Sequence, residues 1–428
     1  LRKYEKVKVL VVGNGGREHA LAWKLLQSEG VEQVYCTPGN GGTAILSGCQ
    51  NLPYGVDDFA GIAEAIALYG INLVVVGPEL PLSLGITDYL SQKDILVFGP
   101  NQQGAQIEAS KSWAKDLMVS AGIPTAKSET FTAIEPALNY LHQQQAPIVV
   151  KADGLAAGKG VIVAQTLKEA ENAVKSLFQD GFSKLIIEEF LIGQEVSVLA
   201  IADGLTIRPL LPAQDHKQIG EGDTGSNTGG MGAYCPTPIA TPAMMERVEK
   251  EILQPTLTAL QKKGIDYRGI IYAGLMITPE GEPKVLEYNC RFGDPETQAV
   301  LTLLETPLDE IILACCQQKL EQLPPLKWHS GSSVCVVTAA GGYPGSYTKG
   351  KMITGIDLAE KTPAIVFHAG TKLVEDQLLT NGGRVLGVTA IGSTFEEAIA
   401  LTYKAVSQIH FEDMYYRRDI GHRIMSNY

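Results

Sequence analysis

The stretch that decides the fold is Val285-Leu286-Glu287-Tyr288-Asn289-Cys290-Arg291-Phe292-Gly293-Asp294-Pro295-Glu296. An apolar strand ends there in alternating polar side chains and then turns sharply. Successive strand side chains point to opposite faces, so Glu287, Asn289 and Arg291 share one face. A carboxylate, an amide oxygen and a guanidinium side by side suit a hydrated divalent cation with phosphate oxygens next to it. Upstream, the apolar run 270–277 joins this strand through the turn-like Thr278-Pro279-Glu280-Gly281-Glu282-Pro283. The pattern predicts a β-hairpin with one polar end.

Three further segments carry polar groups where a core element would not. Lys151-Ala152-Asp153-Gly154-Leu155-Ala156-Ala157-Gly158-Lys159-Gly160 joins two strands through small residues with lysines at both ends. Backbone N–H groups in such a loop can close over phosphates while each lysine adds a point charge. No G-K-[ST] enters a helix there, so the loop is not a P-loop. The segment Glu188-Glu189-Phe190-Leu191-Ile192-Gly193-Gln194-Glu195 can offer backbone groups to a purine edge, pack Phe190 or Leu191 on its ring, and place Glu195 to accept from ribose hydroxyls. The glycine-rich run 215–234 opens with Asp215-His216-Lys217 and closes with Gly229-Gly230-Met231-Gly232, and reads as a substrate loop.

The first hundred residues alternate strand and helix, with strands at 7–12, 33–36, 73–76 and 95–98 and a helix over 17–27. A parallel sheet with ligands at the carboxyl ends of its strands follows. Those ends carry Gly13-Asn14-Gly15-Gly16-Arg17-Glu18-His19 and Pro78-Glu79. A dinucleotide fingerprint is opposed by Glu18, which stands where close packing wants Gly or Ala, and by Cys36-Thr37, which stand where a ribose-binding acid belongs. A single phosphate on the helix start, held by Gly15, Gly16 and Arg17, is the better fit. The run 101–121 reads as one helix. A compact α+β stretch ending near Phe190 follows, and a smaller β-rich unit begins after Leu323-Pro324-Pro325.

At 428 residues the chain is long enough for about three domains, since one core seldom grows past about 250 to 300 residues. A net charge of −12 opposes broad nucleic-acid or anionic-membrane surfaces, so an anionic ligand must be met by local donors. No apolar run approaches the ~20 residues of a membrane span, and no leader is visible. Seven cysteines without C-x-x-C spacing suggest neither a disulfide framework nor a zinc ribbon, which leaves a reducing cytoplasm as the expected compartment.

Together the glycine loops, the 188–195 segment and the Glu287-x-Asn289-x-Arg291 strand resemble the ATP-grasp ligases. Arg291-Phe292-Gly293-Asp294-Pro295-Glu296-Thr297-Gln298, the 215–234 loop and Gly15-Gly16-Arg17-Glu18-His19 are similar to the glycinamide ribonucleotide synthetase family. The resemblance runs nearly end to end. It implies an α/β fold with an N-terminal parallel (pre-ATP-grasp) domain over 1–105, a central ATP-grasp domain over 106–124 and 191–328, a mobile lid over 125–190, and a small β-rich α+β domain over 329–428. The implied activity joins glycine to 5-phosphoribosylamine through glycyl phosphate, with ATP as co-substrate and Mg²⁺ or Mn²⁺ as cofactor. The implied partners are small molecules only, and the implied state is a monomer.

Residue by residue, the resemblance implies phosphate contacts from Lys111 and Lys151, a lid loop with Gly154, Gly158, Lys159 and Gly160, an adenine hinge at Glu188 and Leu191, and a ribose acceptor at Glu195. It implies metal ligation by Glu287 and Asn289, and catalysis by Arg291 and Lys151, with Asp294 beside them. Substrate contacts fall to Gly15, Gly16, Arg17, Glu18, Pro78, Glu79, Asp215, Lys217, Gly230, Met231 and Gly232. Many superfamily members carry another acid on the preceding strand; here that strand reads Ala273-Gly274-Leu275-Met276. A ligase for formate or bicarbonate, an NAD-dependent oxidoreductase and a nucleotide sensor are the rival readings.

Overall fold

The computed structural model describes residues 6–155 and 160–425. Near-continuous valine and leucine runs form a five-stranded parallel sheet from β1 (Val7–Gly13), β2 (Val31–Pro38), β3 (Cys49–Asn51), β4 (Leu73–Val76) and β5 (Leu96–Phe98), in the order β3-β2-β1-β4-β5. Strands buried on both faces need apolar residues at every position, which is why the runs do not alternate. Their carboxyl ends share one edge, so the turn after β1 and Glu79 after β4 face the same space.

The stretch 101–121 departs from the single helix expected. It breaks at Ser110, giving helices Gln106–Ala109 and Lys111–Ala121. Ser110 is extended (φ −135°, ψ 110°) because its hydroxyl accepts from Trp113 N and so caps the second helix. Short strands such as β3 and β6 were not anticipated, because three- and four-residue segments carry too little periodicity to stand out.

A four-stranded antiparallel sheet follows, from β6 (Ser128–Phe131), β7 (Ile148–Ala152), β8 (Val161–Ala164) and β9 (Leu185–Glu189), in the order β6-β9-β7-β8. Helix Leu167–Gln179, capped by Thr166, lays Ala170, Val174 and Leu177 onto it at i, i+4, i+7 spacing. This unit has its own core of Ile148, Val150, Leu185 and Ile187.

The central sheet uses β10 (Gln194–Asp203) and β11 (Ile207–Pro209). The chain then runs through β12 (Gln214–Asp215), β13 (Gln218–Gly220), β14 (Thr224–Asn227) and β15 (Gly232–Cys235) before returning as β16 (Arg268–Ile277) and β17 (Pro283–Asn289). The central order is β11-β10-β16-β17, all antiparallel. One apolar core joins Leu10, Val12 and Val74 of the first sheet to Val198, Ile271 and Tyr288 of the central one. Those two sheets are therefore packed into one body, while 125–190 is attached through fewer apolar contacts.

The last sheet contains β18 (Ser332–Ala339), β19 (Ile365–His368) and, after the hairpin β20 (Thr371–Val374) and β21 (Gln377–Thr380), β22 (Arg384–Gly392). Its order is β12-β15-β18-β22-β19. Two of its five strands come from the 215–234 region, so the sheet crosses the boundary expected at 329. No described helix is long and apolar enough to cross a membrane.

Candidate functional site

A cleft of about 490 Å³ opens where these units meet. Its floor is β17. The β16–β17 register pairs Leu275 with Val285 and Gly274 with Glu287, so Leu286 is a bulge residue. The bulge turns both Leu286 and Glu287 toward the cleft, and Asn289 at the strand end and Arg291 just past it line the cleft as well. The three polar residues expected on one face thus line one cleft.

Arg291 is held on every side. Its Nε lies 3.3 Å from Glu79 Oε2, and its Nη2 lies 3.0 Å from Glu108 Oε1 and donates to Asn289 Oδ1 at 3.0 Å. Burial alone would make this guanidinium easier to deprotonate, but Glu108 and Glu79 outweigh it and hold it fully charged. Burial pushes the Glu108 carboxyl up, with Arg291 pulling the other way.

Opposite stand three lysines. Lys111 Nζ donates to Gly154 O at 2.9 Å, and burial lowers its pKa, partly offset by Glu287. Lys151 Nζ donates to Leu286 O at 3.2 Å and contacts Glu188 Oε1. Lys115 lies 2.8 Å from Glu188 Oε2 as an ion pair without hydrogen-bond alignment, and donates to Thr125 Oγ1 at 2.7 Å. Lys111, Lys115 and Met118 share a helical face at i, i+4, i+7. That spacing was the available signal for Lys115, which was missed.

The Glu287 carboxylate makes no hydrogen bond or ion pair among the described residues. Burial would raise its pKa, but Lys217, Lys151, Lys111 and Arg291 together lower it, so it stays ionised. An ionised, uncommitted carboxylate two residues from an amide oxygen fits a cation that keeps water and phosphate in its remaining positions. The described residues contain no cluster of three or more His, Cys, Asp or Glu ligands, and Gly274 faces Glu287 where a second acid would stand.

At the N-terminal side, Arg17, Pro78, Glu79, Asp294 and Arg384 line the cleft. The expectation that the Gly15-Gly16-Arg17 turn holds a phosphate on its own N–H groups is corrected. Glu18 Oε2 accepts from Gly15 N at 2.6 Å, and Asp294 Oδ2 accepts weakly from Arg17 N at 3.4 Å. The protein's own carboxylates thus take the positive end of the helix. Glu18 is 2% exposed, packs over Gly13 and Gly77, and binds Arg17 Nε at 2.5 Å, so it is a positioning group and not a substrate contact. Gly16 is needed for close approach: a Cβ there would lie 2.6 Å from Gln298 Nε2. Asp294 also accepts from Gln298 at 2.8 Å and pairs with Arg384 at 3.6 Å; burial works against its charge, but Arg384 and Arg17 hold it ionised.

From the loop, Asp215, Lys217, Thr228 and Gly229 reach the cleft. Gly230, Met231 and Gly232 do not. Met231 is fully buried, Gly232 pairs with Val336 in the last sheet, and a Cβ on Gly230 (φ +114°) would clash with Pro295. Their glycines serve packing against the C-terminal sheet. Glu188 lines the cleft as the ion-pair partner of two lysines, and Leu191 backs Leu286 in a small apolar cluster. Glu195 sits in an adjoining pocket of about 200 Å³ and pairs with Lys217 at 2.6 Å. Gly154 and Gly160 line the cleft, whereas Gly158 and Lys159 lie outside the described residues. Tyr272 and Glu296 lie within quoted segments but were given no role there, and Arg384 was missed, since no local motif ties it to β17.

Comparison with known proteins agrees with this geometry. Family models for phosphoribosylglycinamide synthetase match in three parts: the N domain over residues 7–108, the ATP-grasp (A) domain over 109–297 and the C domain over 333–423. The chain is 63% identical over 425 residues to a phosphoribosylamine–glycine ligase of Nostoc, covering 98% of this chain and 100% of that one. It is 49% identical over 423 residues to the enzyme of that name from Escherichia coli, covering 97% and 98%. A crystal structure of phosphoribosylamine–glycine ligase from Thermotoga maritima superposes with a TM-score of 0.83 at 35% identity, covering 97% of this chain and 100% of that one. A biotin carboxylase from Campylobacter jejuni, at 13% identity and a TM-score of 0.73, covering 95% and 92%, shares the fold alone. With all three parts matched in order along nearly the full length, the chain belongs to the phosphoribosylglycinamide synthetase family of ATP-grasp proteins.

Proposed function

We propose that this chain ligates glycine to 5-phosphoribosylamine at the expense of ATP, through glycyl phosphate, giving glycinamide ribonucleotide, ADP and phosphate for purine synthesis. The observation that carries the reading is the single cleft that sets Lys111, Lys151, Glu287, Asn289 and Arg291 against Arg17, Glu79 and Asp294. One wall suits a triphosphate and the other a sugar phosphate with an amine.

Glycine's carboxylate is a poor acyl donor until phosphate becomes its leaving group. Lys111 and Lys151 would hold the triphosphate, and Arg291, fixed by Glu79 and Glu108, would meet charge developing on the transferred phosphoryl group. Losing one such preorganised donor commonly costs on the order of 10² to 10³ in rate. Glu287 and Asn289 would hold Mg²⁺ or Mn²⁺, which supplies charge neutralisation between the phosphates. Arg17 and Arg384 are the cations beside which the sugar phosphate fits. Glu79 stands at the same wall to orient the attacking amine.

Glycyl phosphate is labile in water, so the unit over 125–190 closes over the nucleotide, as its separate core permits. Limited proteolysis with and without a nonhydrolysable ATP analogue checks closure; unchanged cleavage counts against it. The seven reduced cysteines support a reducing cytoplasm, and a monomer is the proposed state, to be checked by sedimentation. The deciding assay measures ADP release with phosphoribosylamine made in place and with glycine, formate or bicarbonate as the acid. Release that depends on formate or bicarbonate and not glycine refutes the reading.

A further inference from the structure

Asp215 closes β12 and faces the cleft, 6% exposed. Its carboxylate makes no hydrogen bond or ion pair among the described residues, while its backbone pairs with Ala233 and its backbone oxygen accepts from Arg423 at 2.8 Å. Glu296, 3% exposed, lines the same part of the cleft, and its Oε1 accepts from Tyr272 OH at 2.5 Å and from Ser197 Oγ at 3.1 Å. Both of these donors are neutral, and no cation is bonded to it among the described residues.

The nearby cations are already committed. Lys217 is bound to Glu195 at 2.6 Å, and Arg423 is bound to Asp223 at 3.0 and 2.9 Å. Asp215 therefore has two carboxylates near it, Glu296 and Glu195, and the one ammonium beside it, Lys217, is already bonded to Glu195. The imbalance registers on Asp215: burial first, then Glu296 and Glu195, hold its carboxyl up to about 7 against the pull of Lys217 and Arg423. An uncancelled buried carboxylate is costly unless a ligand cancels it. Lys217 also feels Glu287, so the acid pair lies a short span from the phosphoryl end of the cleft.

We propose that Asp215 and Glu296, with Tyr272 beside them, form the subsite for the primary ammonium group of the amino-acid substrate. The inference rests on the amino-acid ligase reading above. A zwitterion placed this way directs its carboxylate toward Arg291, at the phosphoryl end of the cleft, and leaves its nitrogen protonated. Protonation matters, because a free amine would compete with the sugar amine for the acyl phosphate.

Steady-state ADP release with the full chain provides the test. Asp215→Asn and Glu296→Gln should each raise KM for glycine at least tenfold while KM for ATP stays within twofold. A glycine KM unchanged in both variants, or an equal rise for ATP, overturns the subsite. The wild-type protein gives a second arm that needs no variant: aminomethylphosphonate should compete with glycine at least tenfold more tightly than hydroxymethylphosphonate, and equal inhibition overturns the proposal. Wild-type turnover with formate or bicarbonate but not glycine overturns the parent reading, which separates the two failures.

Discussion

Glu188 ties the 125–190 unit to the body of the protein, and replacing it should loosen that unit selectively. The carboxylate is 2% exposed on β9 and faces two ammonium groups, Lys151 on β7 and Lys115 on the helix Lys111–Ala121. Removing one member of a buried ion pair costs about 3–5 kcal/mol, because the remaining charge is left unmatched. Glu188→Gln keeps one acceptor oxygen and the volume. Lys115 also keeps Thr125 Oγ1 and Ala126 O, and Lys151 keeps Leu286 O. The residual loss is then about that of one charged hydrogen bond, roughly 2 kcal/mol. A chain of several packed units does not unfold in two states, so a global melting curve is the wrong instrument. Amide hydrogen exchange reads the local opening directly, and ~2 kcal/mol corresponds to roughly 30-fold faster exchange in β7 and β9. The first sheet should be untouched. KM for ATP should rise as well, since Lys151 loses its fixed position. Adding Lys151→Met to Glu188→Gln should cost less than the sum of the two. Exchange in β7 and β9 unchanged within twofold, or accelerated equally in β1 and β4, would refute the reasoning.

Glu287→Gln should abolish Mg²⁺-dependent turnover with the circular dichroism spectrum unchanged; full activity would remove the metal assignment. Arg417, fully buried, donates to Asp419 at 2.8 and 2.7 Å and to Asp223 at 2.9 Å. Arg417→Met should strip Asp419 of its two-pronged partner while Asp223 keeps Arg423, cost on the order of 3 kcal/mol, and make the 215–234 loop exchange faster than β18. Asp215 predicts a pH dependence with a definite sign. Its folded pKa of about 7 lies above the ordinary 3.8, so its stabilising contribution is complete below about pH 4 and lost as pH rises through 7. Lys217, Arg423, Glu195 and Glu296 face it and set that value. Denaturation of the ligand-free protein should show a loss on the order of a few kcal/mol between about pH 4 and 7, levelling off above pH 8, and Asp215→Asn should flatten it.

The sequence showed β17, its partner strand and the parallel first sheet because each carries a local rule: alternation, a turn between apolar runs, or a buried valine strand ending in glycine. The bulge at Leu286 was invisible, since it depends on the register against Gly274. Glu18 was misread for a related reason. Its residue type was seen to be wrong for a dinucleotide fingerprint, but only the fold shows that its carboxylate turns back to occupy the helix start. Gly230, Met231 and Gly232 looked like a flexible substrate loop because glycines signal mobility and close packing equally. Arg384 comes to the cleft by tertiary approach, which no spacing rule encodes, whereas Tyr272, paired with Asn289, and Glu296, just past the strand, sat inside quoted segments without a role.

Asp294 explains why three units make one site. Its Oδ2 receives Arg17 N from the first sheet's helix, its Oδ1 receives Gln298 from the helix Glu296–Leu303, and its backbone oxygen receives Arg384 Nη1 from β22 at 2.7 Å. Arg384 also donates to Gly229 O at 2.7 Å, the loop residue beside the cleft. The same loop supplies β12 and β15 to the last sheet, where residues 232–235 pair with 333–336. A C-terminal unit that contributed nothing but bulk would need neither the strand exchange nor the arginine. Because Asp215 ends β12, the position of its carboxylate is set by a sheet in which β15 alone is near in sequence and the other three strands lie more than a hundred residues downstream. The acid that faces the amino-acid end of the cleft is therefore aligned by the C-terminal unit, while the phosphate end is aligned by β17.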